Sequence, residues 1–411
     1  MSKAKDLSRR EFIKQVAAIG AVAYTSSIMG GVGQVRADNG KSKVLKVDKC
    51  PVHDGKLRHV GVDTLLSLSS DNGIKLYRTS KPHPWGSPEG IIEPNDVVLI
   101  KVNCQWKCRG TTNTDVLRGL IHRILEHPDG FSGEVVIFEN GQAQGSFDGD
   151  PIAWGRYRNY PEIAGVHVNA EDDKLTVDHL VNAVFADKPV SSFLLDPVRE
   201  TFISSSDHST NGYRRIEEAQ VSYPCFTTRG GYRIELREGI WNGEGYDQNL
   251  KLINVPVLKT HDGTGITGVL KNSYGVLSMK DGVDWDVRHY NEAGSQFGKM
   301  WKLVRTPDLH IADCIWVTHQ RHHCGYPPET THRSNILLAG LDPVVLDYYG
   351  SKHILLPLGG DRAEEHDPDS FPGLINSLKG ARDFINAHGG IKGEPSRLGD
   401  ENLQVISRPA V

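Results

Sequence analysis

Three stretches of this chain bring together side chains able to do chemistry. The first is Lys101-Val102-Asn103-Cys104, running into Thr111-Thr112-Asn113-Thr114. The second is Lys259-Thr260-His261-Asp262-Gly263-Thr264-Gly265, followed by Lys271-Asn272. Glycines and hydroxyls ahead of a helix leave backbone N–H groups free, and two nearby ammonium groups suit a phosphate, carboxylate or sulfate. His261 in such a loop could act as a general base, a metal ligand or a loop hydrogen-bonder. The third stretch is His319-Gln320-Arg321-His322-His323-Cys324, with Asp313 and Cys314 before it and His332 beyond. Short His/Cys tracts suggest metal binding, and thiolate with imidazole favours zinc, iron or copper over magnesium. Solvated lysines, an Asx turn and an exposed histidine run are the structural alternatives.

Several familiar sites are absent from the sequence. There is no Gly-x-x-x-x-Gly-Lys-Ser/Thr phosphate loop and no Gly-x-Gly-x-x-Gly after the first clear strand. A Gly-x-Ser-x-Gly nucleophile elbow and a His-Glu-x-x-His helix are also missing. Cys104-x-x-x-Cys108 is wider than the usual Cys-x-x-Cys of zinc and iron–sulfur sites, so an iron–sulfur centre is the less favoured cofactor.

The elements that must position these residues read as alternating strand and helix. Asp96–Val102 is a short apolar run suited to a buried parallel strand, and alternation puts Lys101 and Asn103 on one side of it. Thr114–Glu126 carries apolar residues at helical spacing, with Thr112 or Asn113 as cap. Glu134–Phe138 follows as a strand and completes a right-handed βαβ unit. Further strands are predicted at Asn249–Leu258, Asp308–Val317 and Asn335–Ala339, with a helix from about Thr267 to Leu277. Asp342-Pro343-Val344 opens another helix through about Ile354, Asp as cap and Pro in the first turn. The fold class is therefore α/β, a mostly parallel sheet flanked by helices with an irregular insertion in the middle. In this reading residues 1–37 are a leader, 38–95 an irregular segment and 96–358 the α/β domain with its insertion at about 141–245. Residues 359–411 form a looser C-terminal extension with a short amphipathic helix near Leu374–Ala387. Ligands of open α/β sheets bind at the carboxyl ends of strands, where all three reactive stretches fall.

Four motifs in order give the chain a resemblance to the bacterial and archaeal family catalogued as domain of unknown function 362. They are Val98–Asn103 with Thr112-Asn113; Ile253–His261 with Leu270–Gly275; Leu309–Asp313; and Leu338–Asp347. The resemblance implies an α/β domain over roughly 97–350 and little about activity. Some relatives carry ferredoxin-like cysteine clusters; this chain lacks the Cys-x-x-Cys-x-x-Cys run. The family's Gly-rich stretch after the aspartate matching Asp313 is replaced here by the His/Cys tract.

Composition and termini set the context. Ser8-Arg9-Arg10-Glu11-Phe12-Ile13-Lys14 has the pattern of a twin-arginine export signal. Gln15–Val35 is uncharged, and Val35-Arg36-Ala37 offers small residues for cleavage after Ala37. The expected partner is the twin-arginine translocase, and the expected location periplasmic or otherwise extracytoplasmic. The whole chain has 47 Lys/Arg and 51 Asp/Glu, a net charge of −4. The leader is the basic part, so the mature chain is more acidic, which argues against nucleic acid as a partner. No second apolar run approaches the roughly 20 residues needed to span a bilayer. All six cysteines lie beyond the leader; disulfides are the default after export, with buried thiols or metal ligation as alternatives.

The expected function is an exported enzyme, an oxidoreductase or metal-assisted hydrolase, acting on a small anionic molecule. Lys101, Asn103, Lys259, Lys271 and Asn272 would bind it. His261 would move a proton, with Asp313 or Asp347 setting its charge. A metal at His319, His322, His323 and Cys324 would assist. The rivals are a non-catalytic anion-binding or cofactor-handling protein and an electron-transfer partner.

Overall fold

The computed structural model describes residues 40–51, 57–104, 108–141, 169–172, 174–281, 293–320 and 330–410. The export signal therefore lies outside the described residues, as do His322, His323 and Cys324.

The predicted strands share one sheet of ten strands. Its described strands are β1 (Ser42–Asp48), β2 (Val97–Val102), β3 (Glu134–Glu139), β4 (Val190–Leu194), β5 (Leu250–Val255), β6 (Val257–His261), β7 (Gly265–Thr267), β8 (Leu309–Thr318), β9 (Thr331–Gly340) and β10 (Leu403–Pro409). The order along the main path is β10-β1-β9-β8-β5-β2-β3-β4, with β6 joining β8 and pairing β7. β8, β5, β2, β3 and β4 run parallel, so their carboxyl ends share one edge. Apart from Lys101 in β2 and a Glu at each end of β3, both strands are fully buried runs of Val, Leu, Ile and Phe, as parallel strands covered on both faces should be.

Helices cover both faces. α1 (Val60–Asp71) and α2 (Thr114–Leu125) pack on one, in a core with Val98, Ile100, Ile137, Ile253 and Ile311. α3 (Ala293–Lys299), α4 (Pro343–Gly350) and α5 (Pro372–Ala387) pack on the other, with Leu99, Val136, Leu252 and Leu338. That second face also carries a five-stranded antiparallel sheet within residues 212–247. The predicted caps form: Asn113 accepts from the Val116 N–H at 3.1 Å, and Asp342 accepts from Val344 and Val345.

Four readings change. The described part of 38–95 is not irregular: β1 lies between β9 and β10, and α1 buries Val62, Leu65, Leu66 and Leu68. The partners of β1 come from the far end of the chain, which no local pattern shows. The C-terminal extension is part of the same sheet, since β10 runs parallel to β1 over seven residue pairs. The predicted helix at 267–277 is instead the end of β7 and a 3-10 turn, Lys271–Gly275. Gly, Asn and Ser are poor helix formers there, and Thr267 is held in the ladder opposite Lys259. Finally, Cys50, Cys104, Cys225 and Cys314 are buried free thiols rather than disulfide partners. Among the described residues, no helix is long and apolar enough to cross a membrane.

Candidate functional site

Two of the three reactive stretches converge at the carboxyl ends of β2, β5 and β6. Lys101, near the end of β2, is wholly buried. Its ammonium donates to the Val102 carbonyl (2.5 Å), Glu139 Oε2 (2.5 Å) and Asn272 Oδ1 (3.2 Å), which uses its three protons. Burial pulls the Lys101 amine down and pushes the Glu139 carboxyl up to about 7, because desolvation penalises both charged forms and Lys101 only partly offsets it. Gly275 closes this pocket: a Cβ there would collide with Glu139 Oε1 and Lys101 Nζ. Glycine is required here for close approach.

One strand over, Lys259 is also buried and donates to Asn103 Oδ1 (3.2 Å) and the Gly110 carbonyl (2.5 Å). Asn103 is itself fixed, its N–H donating to Thr112 Oγ1, which donates on to the Val255 carbonyl. The β6–β7 hairpin places His261 at its tip. His261 Nδ1 lies 2.5 Å from the Asp262 carbonyl, so it carries the proton and donates. Nε2 then accepts from Lys271 Nζ at 2.9 Å. Gly263 and Gly265 take positive φ and bend the loop around the imidazole. Arg362 bonds Asp262 across at 2.6 Å, so the C-terminal part of the chain braces the loop.

The two aspartates do other work. Asp347 on α4 accepts from the Val269 and Leu270 amides at 2.6 and 2.8 Å, capping the turn before Lys271. Asp313 on β8 accepts from the Asn113 and Ile315 amides and from Asn169 Nδ2. Burial raises both carboxyls to about 7. These partners are backbone amides and an asparagine, so both aspartates shape the site through the main chain.

Of the His/Cys tract, His319 is described. Its Nδ1 is 3.4 Å from the Gly359 carbonyl, and its ring meets His332 edge-on at 6.4 Å. His366 adds a fully buried imidazole in electrostatic contact with His319, with neither ring nitrogen hydrogen-bonded among the described residues. Desolvation lowers it to about 4. Among the described residues, no group of three or more His, Cys, Asp or Glu side chains is placed to hold a metal ion.

Residues 234–352 match the model of the family described as Domain of unknown function (DUF362). The matched stretch holds Lys259, His261, Lys271, Asn272, Asp313 and Asp347; Lys101, Asn103 and Glu139 come from outside it. No curated protein and no solved structure matches the chain.

Sequence reasoning missed Glu139, Asn254, His310 and His366. The first three had a visible signal: a polar residue inside or at the end of an otherwise apolar strand run. A single polar side chain there must find a partner, because burying one unpaired costs several kcal/mol in the worst case, about 1–3 by mutational data. His366 sits in an irregular segment and had none.

Proposed function

We propose that this chain is an exported enzyme that binds a small anionic molecule at the carboxyl ends of its parallel strands and moves a proton through His261. The observation that carries the reading is the 2.9 Å contact between Lys271 Nζ and His261 Nε2 at a glycine-bent loop. An anion drawing the Lys271 ammonium toward itself would leave the Nε2 lone pair free to take a proton. Lys259, held by neutral oxygens of Asn103 and Gly110, adds positive potential one strand residue pair away. Export by the twin-arginine route, read from Arg9-Arg10, belongs to the same proposal. So does a metal at the His319 end, for which zinc, iron or copper suits the donor types and which would polarise substrate or carry electrons.

A second reading has its own support. The saturated Lys101 and the amide-bound Asp313 and Asp347 are arranged for rigidity, as a non-catalytic anion-binding protein would need.

Calorimetric titration with inorganic phosphate and small carboxylates separates the two. Lys271→Ala should weaken the bound probe at least about tenfold, the loss of one charge-assisted contact. His261→Ala should keep the probe and abolish turnover of the substrate found by screening; a change in affinity alone would favour the binder. An anion panel that leaves the wild-type chain silent would sink the anion site itself. Plasma mass spectrometry on exported protein tests the metal, and unchanged activity after chelation would remove it from the mechanism.

A further inference from the structure

His310, Asn254 and Lys101 are opposite one another on three adjacent parallel strands, β8, β5 and β2. All three are wholly buried. The anion and proton roles above make no use of Asn254 or His310. Valine or leucine would pack at either position without a polar group to satisfy.

The hydrogen bonds across this row run in one direction. Asn272 Oδ1 accepts from Lys101 Nζ, and its Nδ2 donates to Asn254 Oδ1 at 2.7 Å and to the Lys101 carbonyl at 3.3 Å. Asn254 Nδ2 donates to the Val269 carbonyl and to His310 Nδ1, both at 3.0 Å. Each amide thus has both protons used and its oxygen occupied. Reversing Asn272 would turn its NH₂ toward the Lys101 ammonium. Reversing Asn254 would turn its oxygen toward the Val269 carbonyl. The far end is equally constrained: His310 must present an unprotonated Nδ1, so its proton sits on Nε2. Among the described residues that nitrogen has no hydrogen-bond partner, and the ring meets Trp301 edge-on at 6.1 Å. Burial keeps the ring neutral, and the Lys392 charge acts in the same direction.

We propose that His310 and Asn254 are positioning residues of the strand-end site: a neutral imidazole on β8 sets the sense of an amide relay that holds the Asn272 oxygen on the Lys101 ammonium. This rests on reading the Lys101–Glu139–Asn272 cluster as part of the functional site. The relay spans three strands, with a single ion pair at its end.

Nitrogen and carbon NMR of the full chain tests it without any ligand. In histidine-labelled protein, the resonance lost in His310→Gln should report an unprotonated Nδ1 and a protonated Nε2, unchanged from pH 5 to 8. A protonated Nδ1 would overturn the relay. In glutamate-labelled protein, with Glu139→Gln for assignment, Asn254→Leu should move the Glu139 midpoint upward by at least about half a unit, because Lys101 loses a firmly held acceptor. His310→Gln, whose amide oxygen can still accept from Asn254, should leave that midpoint within about 0.2 units of wild type. An unmoved midpoint in a folded Asn254→Leu chain would reduce the row to packing. Should that variant fail to fold, the tautomer of His310 in the unmutated chain decides. Wild-type protein that ignores phosphate would overturn the anion reading and leave both NMR outcomes standing.

Discussion

Among the described residues, Glu139 and Glu235 are both buried in ion clusters, and their surroundings differ. Glu235, in the five-stranded sheet, accepts from Arg214, from Tyr246 Oη and from His208 Nδ1 at 2.7 Å, with Arg233 at 3.8 Å. His208 in turn stacks on Trp241 at 3.8 Å. Glu139, at the end of β3, has one described donor, Lys101. Arginines and a phenol surround the first carboxylate on both oxygens, which holds the sheet together. The second shares a single amine whose remaining protons go to neutral oxygens, and burial lifts its carboxyl to about 7. Desolvation with few donors keeps the Glu139 carboxyl titratable near neutrality, whereas the many donors around Glu235 make it a strut between strands. Only the sparsely served cluster lies at the carboxyl ends of parallel strands, where open α/β sheets place ligands.

The sharpest way to break this contrast is to remove Lys101. Lys101→Met leaves Glu139 buried without its partner and should cost about 3–5 kcal/mol, read as a lower urea midpoint. The Lys101→Met/Glu139→Leu double variant should recover most of that, since an apolar pair carries no desolvation penalty. A double variant as unstable as the single would mean that Lys101 acts through Asn272 and not through Glu139.

Next is the pH dependence. The folded-state carboxyls of Glu139, Asp313 and Asp347 are raised above their unfolded values, 4.5 for Glu and 3.8 for Asp, to about 7. Their stabilising contribution is therefore fully present below about pH 4 and lost as pH rises through about 7. Urea unfolding should show a less stable protein at pH 8 than at pH 5, by up to about 3 kcal/mol per group. Glu139→Gln should flatten the curve by that group's share. Stability rising from pH 5 to 8 would contradict the assignment.

A smaller effect is expected at Gly275. Gly275→Ala pushes a methyl into the Lys101–Glu139 contact and should cost about 1–3 kcal/mol. It should also shift the Glu139 midpoint, which a loop substitution elsewhere would not. The smallest is Tyr246→Phe in the strut cluster. Glu235 keeps Arg214 and His208, so the loss should be about 1 kcal/mol, the value of one hydrogen bond. A loss as large as that of Lys101→Met would erase the distinction between the clusters.

The candidate site was legible in part. Lys101, Asn103, Lys259, His261, Lys271 and Asn272 were chosen because they end or follow strand runs, and β2, β6 and the turn after β7 bring them together. The partners of Asp313 and Asp347 were not legible. Which donor fills a buried carboxyl depends on residues such as Asn113 and Val269, about 80 to 200 positions away in the chain. The irregular reading of 38–95 and the helix expected at 267–277 failed for a related reason: β1 is a strand because a gap in the sheet receives it, and Thr267 is extended because Lys259 is its ladder partner.

Local chemistry alone determined the βαβ unit, a cap at Thr112 or Asn113, the Asp342 cap and the place of Lys101 and Lys259 near strand ends. Those follow from side-chain period, capping oxygens and apolar runs, all read within a few residues. The tertiary structure decided which of those groups meet. Lys101, Glu139, Asn254, Asn272 and His310 are scattered over two hundred residues, and parallel register is what lines three of them up. It also decided their charge, because proton affinity depends on how much water and how many donors surround a group, and neither is written in the order of the residues.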